Sequence, residues 1–243
     1  MHCVLCKSLV FDCVAAQPCE HKYCRECISR FQDCPLCGRD IDNVETDAAC
    51  QGTVNDFINR HAHQEVPNGH SNGPVSEVQT PAAFFLDLGL TSLAGRNYSA
   101  ALARLDRCRQ LLLEQGDADR PSVKLGAVCG SQGDCSMQLG QMQDAAAHYR
   151  ESIDHLSQAP EPNTEAQQAL TVSLNKLGDL AYWQGDVQAA RDTYHKALMV
   201  RQKLLEASQA DDSSTEHAGL AVDVAVSLGK LMDADKVLEA VGC

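Results

Sequence analysis

Seven of the eight cysteines and one of the two histidines in the first 37 residues fall in four close pairs: Cys3 and Cys6, Cys19 and His21, Cys24 and Cys27, Cys34 and Cys37. The spacing reads C-x2-C, twelve residues, C-x-H, two residues, C-x2-C, six residues, C-x2-C. Two residues between cysteines let a tight knuckle aim both thiolates at one ion, and two such pairs complete a tetrahedral site with Zn–S bonds of about 2.3 Å. Eight ligands therefore imply two closed zinc sites, or two Zn2+ per chain. A closed site offers no open position to water or substrate, so neither ion is expected to act as a Lewis acid.

The rest of the composition narrows the setting. A chain of 243 residues with 44% hydrophobic and 22% charged content has room for one or two cores. No apolar run approaches the length of a membrane span, and the N-terminus lacks the charged and apolar regions of a signal peptide. The expected location is the cytoplasm or nucleus, and no membrane partner is expected. In a reducing compartment, 13 cysteines read as metal ligands and packed thiols before they read as disulfides. Cys13 falls out of register with the eight ligands, and Cys108, Cys129, Cys135 and Cys243 fall in helical sequence, so all five are expected to be small packed residues. The formal charge of −13 lies mostly beyond the cysteine-rich segment. It favours basic protein segments as partners and argues against nucleic acid, which needs a positive patch. No phosphate-binding loop, nucleophile elbow or H-E-x-x-H motif occurs.

The ligand series resembles the C3HC4 RING finger along its whole length. The resemblance implies an interleaved pairing, with Cys3, Cys6, Cys24 and Cys27 on one ion and Cys19, His21, Cys34 and Cys37 on the other. Spacing alone also permits a sequential pairing in which Cys3, Cys6, Cys19 and His21 share an ion. The family binds a ubiquitin-conjugating enzyme in a shallow apolar groove, and four residues here match its positions. Leu5 precedes the second cysteine, Phe31 stands four residues after Cys27 on an expected short helix, and Pro35 and Leu36 lie between the last two cysteines. The activity implied is that of a RING-type ubiquitin-protein ligase, with no catalytic residue and no covalent intermediate on this chain. One departure is Gly38, which takes the place of the basic residue many such ligases carry after the last cysteine. Arg39 follows it.

Beyond this zinc-stapled α+β module at 1–45, a helix is predicted over 46–64, with an apolar stripe of Cys50, Val54, Phe57 and Ile58. The stripe can pack back on the zinc module or make a homodimer face. His61 and His63 read as a solvated helix end. Residues 65–80, rich in proline, glycine, asparagine and serine, read as a flexible linker. From 81 to 243 a frame of glycine with alanine five residues on recurs: Gly95 and Ala100, Gly140 and Ala145, Gly185 and Ala190, Gly229 and Ala234. The steps are 45, 45 and 44 residues.

The third copy, with Leu177, Gly178, Ala181, Gly185, Ala190, Tyr194 and Ala197, resembles a tetratricopeptide repeat, extended as in kinesin light chain and nephrocystin. The resemblance implies an all-α solenoid of four helical hairpins, at about 81–125, 126–170, 171–214 and 215–243, each with its glycine at the inter-helix turn. Segments 158–163 and 210–216 would absorb the extra length. Such a solenoid binds an extended segment of another protein, here an unidentified protein substrate. Capture of a C-terminal carboxylate is not expected, since Phe85, Gly89 and Ser131 stand at the gripping positions of the first two copies. Asn175 and Lys176 are present in the third. A noncatalytic zinc-binding adaptor is the alternative reading.

Overall fold

The computed structural model describes residues 1–62, 80–114, 121–159, 163–208 and 214–242. They form a small strand region carrying the cysteine clusters, followed by an all-helical, repeat-like solenoid. No described helix is long and apolar enough to cross a membrane. The chain divides into two compact units, Met1–Gly116 and Asp117–Cys243. The first unit therefore holds the zinc module together with the first helical hairpin. Apart from Thr80, the predicted linker lies outside the described residues.

In the first unit, β1 (Cys13–Gln17) pairs antiparallel with β2 (His21–Cys24) on one side and with β3 (Asn43–Thr46) on the other. The register sets Val14 opposite both Tyr23 and Thr46. A single turn of helix, α1 (Arg25–Ile28), follows β2 directly. Helix α2 (Ala48–Ala62) starts where Asp47 Oδ1 accepts a hydrogen bond from Cys50 N at 2.8 Å. Its predicted stripe packs back on the zinc module: Val54 is buried in the same cluster as Leu9, Val14 and Tyr23, with Cys50, Phe57 and Ile58 at its edge. The side chains of His61 and His63 lie outside the described part of the chain.

Helix α3 (Pro81–Ala94) begins with proline in its first turn, where a missing N–H costs nothing, and Thr80 Oγ1 accepts from Ala83 N. Helix α4 (Tyr98–Glu114) packs along it, with Leu105 against Gly89, where a Cβ would come within 2.9 Å of Leu105. The pair also seats on the zinc module. Leu88 and Phe84 join its core, and a Cβ on Gly95 would fall 2.5 Å from Cys6. From α1, Glu26 accepts hydrogen bonds from Tyr98 N at 3.3 Å and Ser99 N at 3.0 Å. A zinc-module carboxylate thus supplies the anion that the start of α4 favours.

The second unit is built from α5 (Pro121–Gln138), α6 (Met142–Ser157), α7 (Thr164–Trp183), α8 (Val187–Ser208) and α9 (Ser214–Val241). Helices α5 and α6 form one hairpin and α7 and α8 the next, with α6 packed on α7 and α8 on α9. Both hairpins turn on a glycine in left-handed conformation, Gly140 at φ 77° and Gly185 at φ 84°. The wedge residues recur as well. The ring of Tyr149 lies over Gly133 and that of Tyr194 over Gly178, each 2.5 Å from where a Cβ would stand. Their hydroxyls donate to Asp134 at 2.6 Å and Asp179 at 2.7 Å.

The fourth copy departs from expectation. Gly229 lies inside α9, which runs unbroken from Ser214 to Val241, so no hairpin turn forms there. At Gly185 the turn is backed by Asp186, which caps the next helix by accepting from Ala189 N. After Gly229 stands Lys230, which has no acceptor to offer and instead pairs with Asp179.

Candidate metal centre and docking surface

The strand region gathers the eight ligand residues into two groups that could each hold a zinc ion. In each, the ligand atoms lie within 4.8 Å of one another: Cys3, Cys6, Cys24 and Cys27 in one, Cys19, His21, Cys34 and Cys37 in the other. Cys19 and His21 therefore sit with Cys34 and Cys37, not with Cys3 and Cys6. The first pair of ligands comes from an N-terminal knuckle closed by Lys7 N donating to Cys3 O at 2.8 Å and Cys3 N to Ser8 O at 2.9 Å. Cys24 ends β2 and Cys27 lies on α1. The β1–β2 turn and the start of β2 supply Cys19 and His21. Cys34 and Cys37 flank a turn in which Cys37 N and Gly38 N both donate to Cys34 O, at 3.2 and 2.7 Å.

The spacing suits zinc. Bonds of about 2.3 Å to four sulfurs put the edge of the tetrahedron at about 3.8 Å. Cys6 Sγ lies 3.8 Å from Cys24 Sγ, and Cys34 Sγ lies 3.4 Å from His21 Nδ1. All four ligands of the first group are buried, while the second runs from buried Cys34 to exposed Cys37. Crowding already moves protons in the first group. Hydrogen bonding from Cys24 above all, then from Cys27, lowers Cys6 to about 6, while Cys27, Cys3 and Cys6 push Cys24 up. A metal would displace the protons that remain. Backbone donors serve the sulfurs too: Phe11 N donates to Cys24 Sγ at 3.2 Å. Tyr23, fully buried, sets its hydroxyl 3.1 Å from Cys34 Sγ. Cys13 is buried beside Cys50, and burial first, then Cys50, lifts its thiol to about 12, which keeps it protonated and inert.

Of the four residues matched to a docking groove, Phe31 is 44% exposed and Leu36 50% exposed, and Pro35 is exposed beside it. Leu5 is half-buried at the edge of the zinc-module core. Phe31 does not lie on the short helix. That helix ends at Ile28, and Phe31 is held one turn further on by its N–H donating to Ile28 O at 3.0 Å. Sequence reasoning passed over Val4, which is 49% exposed next to Leu5. Gly38 takes a left-handed φ of 70°, so any side chain at this position would strain the backbone. Arg39 O accepts from Cys34 N at 2.7 Å, which fixes the backbone that carries its side chain.

In the second unit, α7 and α9 flank a cleft whose lining includes Glu165, Val172, Arg201, Leu220, Val222 and Asp223. Val172 and Val222 are 49% and 63% exposed. Asn175 and Lys176 are spent within the fold, on Ser227 at 3.4 Å and Asp134 at 3.0 Å. Cys108, Cys129 and Cys135 are buried as expected, and Cys243 lies outside the described residues. Cys129 also falls near Glu151 and His155 in a third group with metal-ligand chemistry.

No family model matches the chain. It is 35% identical to Protein NCA1 of Arabidopsis thaliana over 98% of its own length and 61% of that protein's. It thus spans about three fifths of this relative. Over 63 residues, 24% of the chain, it is 27% identical to the E3 ubiquitin-protein ligase CHFR of Danio rerio, covering 10% of that protein. Human CHFR is 29% identical over a stretch of the same size. Among solved structures, BtubC (BKLC) from P. vanneervenii aligns with a TM-score of 0.48 at 16% identity, over 79% of this chain and 73% of that one. Yeast histone chaperone Hif1 aligns at 0.46 and 13% identity, over 77% and 74%. At these scores neither likeness adds to what the helices themselves show.

Proposed function

We propose that the chain is a RING-type ubiquitin ligase scaffold: the zinc module docks a charged conjugating enzyme, and the helical repeats hold the protein to be modified. One observation carries the reading. Phe31, Pro35 and Leu36 stand exposed on a module whose other large apolar residues are mostly packed inward, and such a patch on a small rigid body fits a protein partner. The likeness of part of the chain to CHFR ligases supports it. The two zinc ions would be structural, held by Cys3, Cys6, Cys24 and Cys27 and by Cys19, His21, Cys34 and Cys37. They fix the loops that carry Leu5, Pro35 and Leu36. Transfer would then rest on proximity and orientation, with a substrate lysine attacking the thioester held by the partner enzyme. The cleft between α7 and α9, with Arg201 beside Glu165 and Asp223, is where a protein segment would lie.

A second reading is favoured by Gly38. Its left-handed backbone leaves no basic side chain directly after the last cysteine, so the module can dock a partner without activating transfer. The zinc-stapled chain would then be a noncatalytic adaptor. Ubiquitin-chain formation with a panel of conjugating enzymes separates the two. Leu36→Ala, which removes an exposed side chain and spares the core, is expected to cut transfer at least tenfold with both zinc ions retained. Chains formed equally by wild type and Leu36→Ala would exclude the docking surface. Wild type that is folded, zinc-loaded and inactive with every enzyme is the adaptor.

A further inference from the structure

Arg104 stands in α4 where the next two hairpins, at 45-residue steps, place Tyr149 and Tyr194. In the same register Leu88 replaces the glycines, Gly133 and Gly178, over which those tyrosines lie. The first hairpin keeps a wedge one residue further on, Leu105 over Gly89, and Arg104 beside it points into the zinc module. Arg104 is 4% exposed. Its Nη1 donates to Ser8 Oγ at 2.6 Å and to Ser92 Oγ, and its Nη2 to Leu9 O at 2.6 Å. The guanidinium carbon lies 5.7 Å from the centre of the Phe11 ring.

A buried guanidinium needs an anion nearby, because hydrogen bonds to neutral oxygens do not offset the loss of water around a full charge. Among the described residues no carboxylate pairs with Arg104, and its Nε has no acceptor. The anion at hand is the four-cysteine group. Ser8 and Leu9, which Arg104 grips, follow Cys6 on the knuckle, and Phe11 donates its N–H to Cys24 Sγ. Burial lowers the pKa of Arg104, while the charges of Cys24, Cys6 and Cys27 act to raise it. Four thiolates around a divalent ion carry a net charge of about −2, an excess that the surrounding protein must balance. A second polar group of the same hairpin faces this centre: Asn97 Nδ2 points at Cys6 Sγ from 3.9 Å, while Asn97 Oδ1 caps α4 by accepting from Ala100 N at 3.3 Å.

We propose that Arg104 and Asn97 are the outer electrostatic partners of the metal at Cys3, Cys6, Cys24 and Cys27, so that the first helical hairpin sets how tightly that one ion is held. The proposal rests on reading this group as a zinc site, and it gives the first hairpin a role apart from client binding.

The test is chelator competition on the full chain, with cobalt substitution to tell the four-sulfur centre from the three-sulfur, one-nitrogen centre by their absorption bands. Arg104→Met is expected to weaken zinc at the four-cysteine site about 10- to 100-fold and to leave the other site unchanged. Arg104→Lys, which keeps the charge, should recover most of the loss. Should Arg104→Met fail to fold, Asn97→Asp carries the test: it keeps the acceptor that caps α4 and turns a donor facing Cys6 into an anion. It should weaken the same site alone. Equal loss at both sites, or unchanged affinity in the folded variants, would overturn the proposal. Wild type that binds no metal at the four-cysteine site would overturn the zinc reading beneath it.

Discussion

Tyr149 and Tyr194 each fill the gap that a glycine leaves in the preceding helix and send a buried hydroxyl to an aspartate one residue beyond that glycine. The fit is close enough that Gly178→Ala should be costly. Its Cβ would sit 2.5 Å from the Tyr194 ring, and overpacking of this kind costs about 1–3 kcal/mol, readable in urea unfolding. The hydroxyls also imply a pH dependence. Burial first, then Asp134 or Asp179, raises the pKa of both tyrosines in the folded chain. A raised folded value stabilises the protein fully below the unfolded value of about 10, and the contribution is lost as pH rises through the folded values. The unfolding midpoint of the wild type should therefore fall more steeply above pH ~10 than that of a Tyr149→Phe, Tyr194→Phe double variant. Equal slopes would mean that the two phenols titrate freely. The tyrosines and their glycines were legible in the sequence because they repeat. Arg104 was not, since its partners Ser8 and Leu9 lie 96 and 95 residues away and nothing local marks them. Its only trace is the break in the repeat.

Helix ends separate the three turns that form from the one that does not. Spacing alone treated Gly95, Gly140, Gly185 and Gly229 alike, because glycine with alanine five residues later describes close helix packing as well as a turn. Capping backs two of the turns that form, while Gln141 after Gly140 makes no side-chain cap and that turn rests on its left-handed glycine. Asn97 and Asp186 accept from backbone amides at the start of the next helix, and Lys230 cannot. Gly229 thus sits mid-helix with open space where a Cβ would be, whereas Gly185 holds a φ of 84°. Opposite signs are expected. Gly229→Ala should stabilise α9 by up to about 1 kcal/mol, and Gly185→Ala should destabilise its turn by a similar amount. A loss of stability in Gly229→Ala would restore the fourth turn. The pairs of candidate ligands were easier to read, since each knuckle is made by residues close together in the chain, while their interleaving came from the resemblance. The short helix was expected to reach Phe31 because the resemblance places that residue on it, but the helix ends at Ile28 with Ser29 as its C-cap.

At the scale of the molecule, the cysteine clusters and the repeats divide the task of holding the fold together unevenly. In the unit Met1–Gly116, one core cluster sets the cysteine ligands beside Val54 of α2 and Leu88 of α3. Remove the metal, and the buried thiols are left to share protons at contact distance while Arg104 loses its counter-charge. Helices α3 and α4 also bury Phe85, Ala101, Leu105 and Cys108, yet α2 packs Val54 into the cysteine cluster and the hairpin seats Leu88 and Gly95 on it. The unit Asp117–Cys243 instead builds its core from Tyr149, Tyr194, Leu180 and the alanines between them, far from either zinc cluster in sequence. Chelation should therefore melt only part of the helix content. With excess chelator, amide hydrogen exchange is expected to accelerate through α2–α4 as well as the strands, while α5–α9 keep their protection. Lowering the pH should do the same, because protons compete with metal for the thiolates. Protection retained in α3 and α4 after metal loss would show that the first hairpin folds without the zinc module. Loss throughout α5–α9 would show that the two units fold as one.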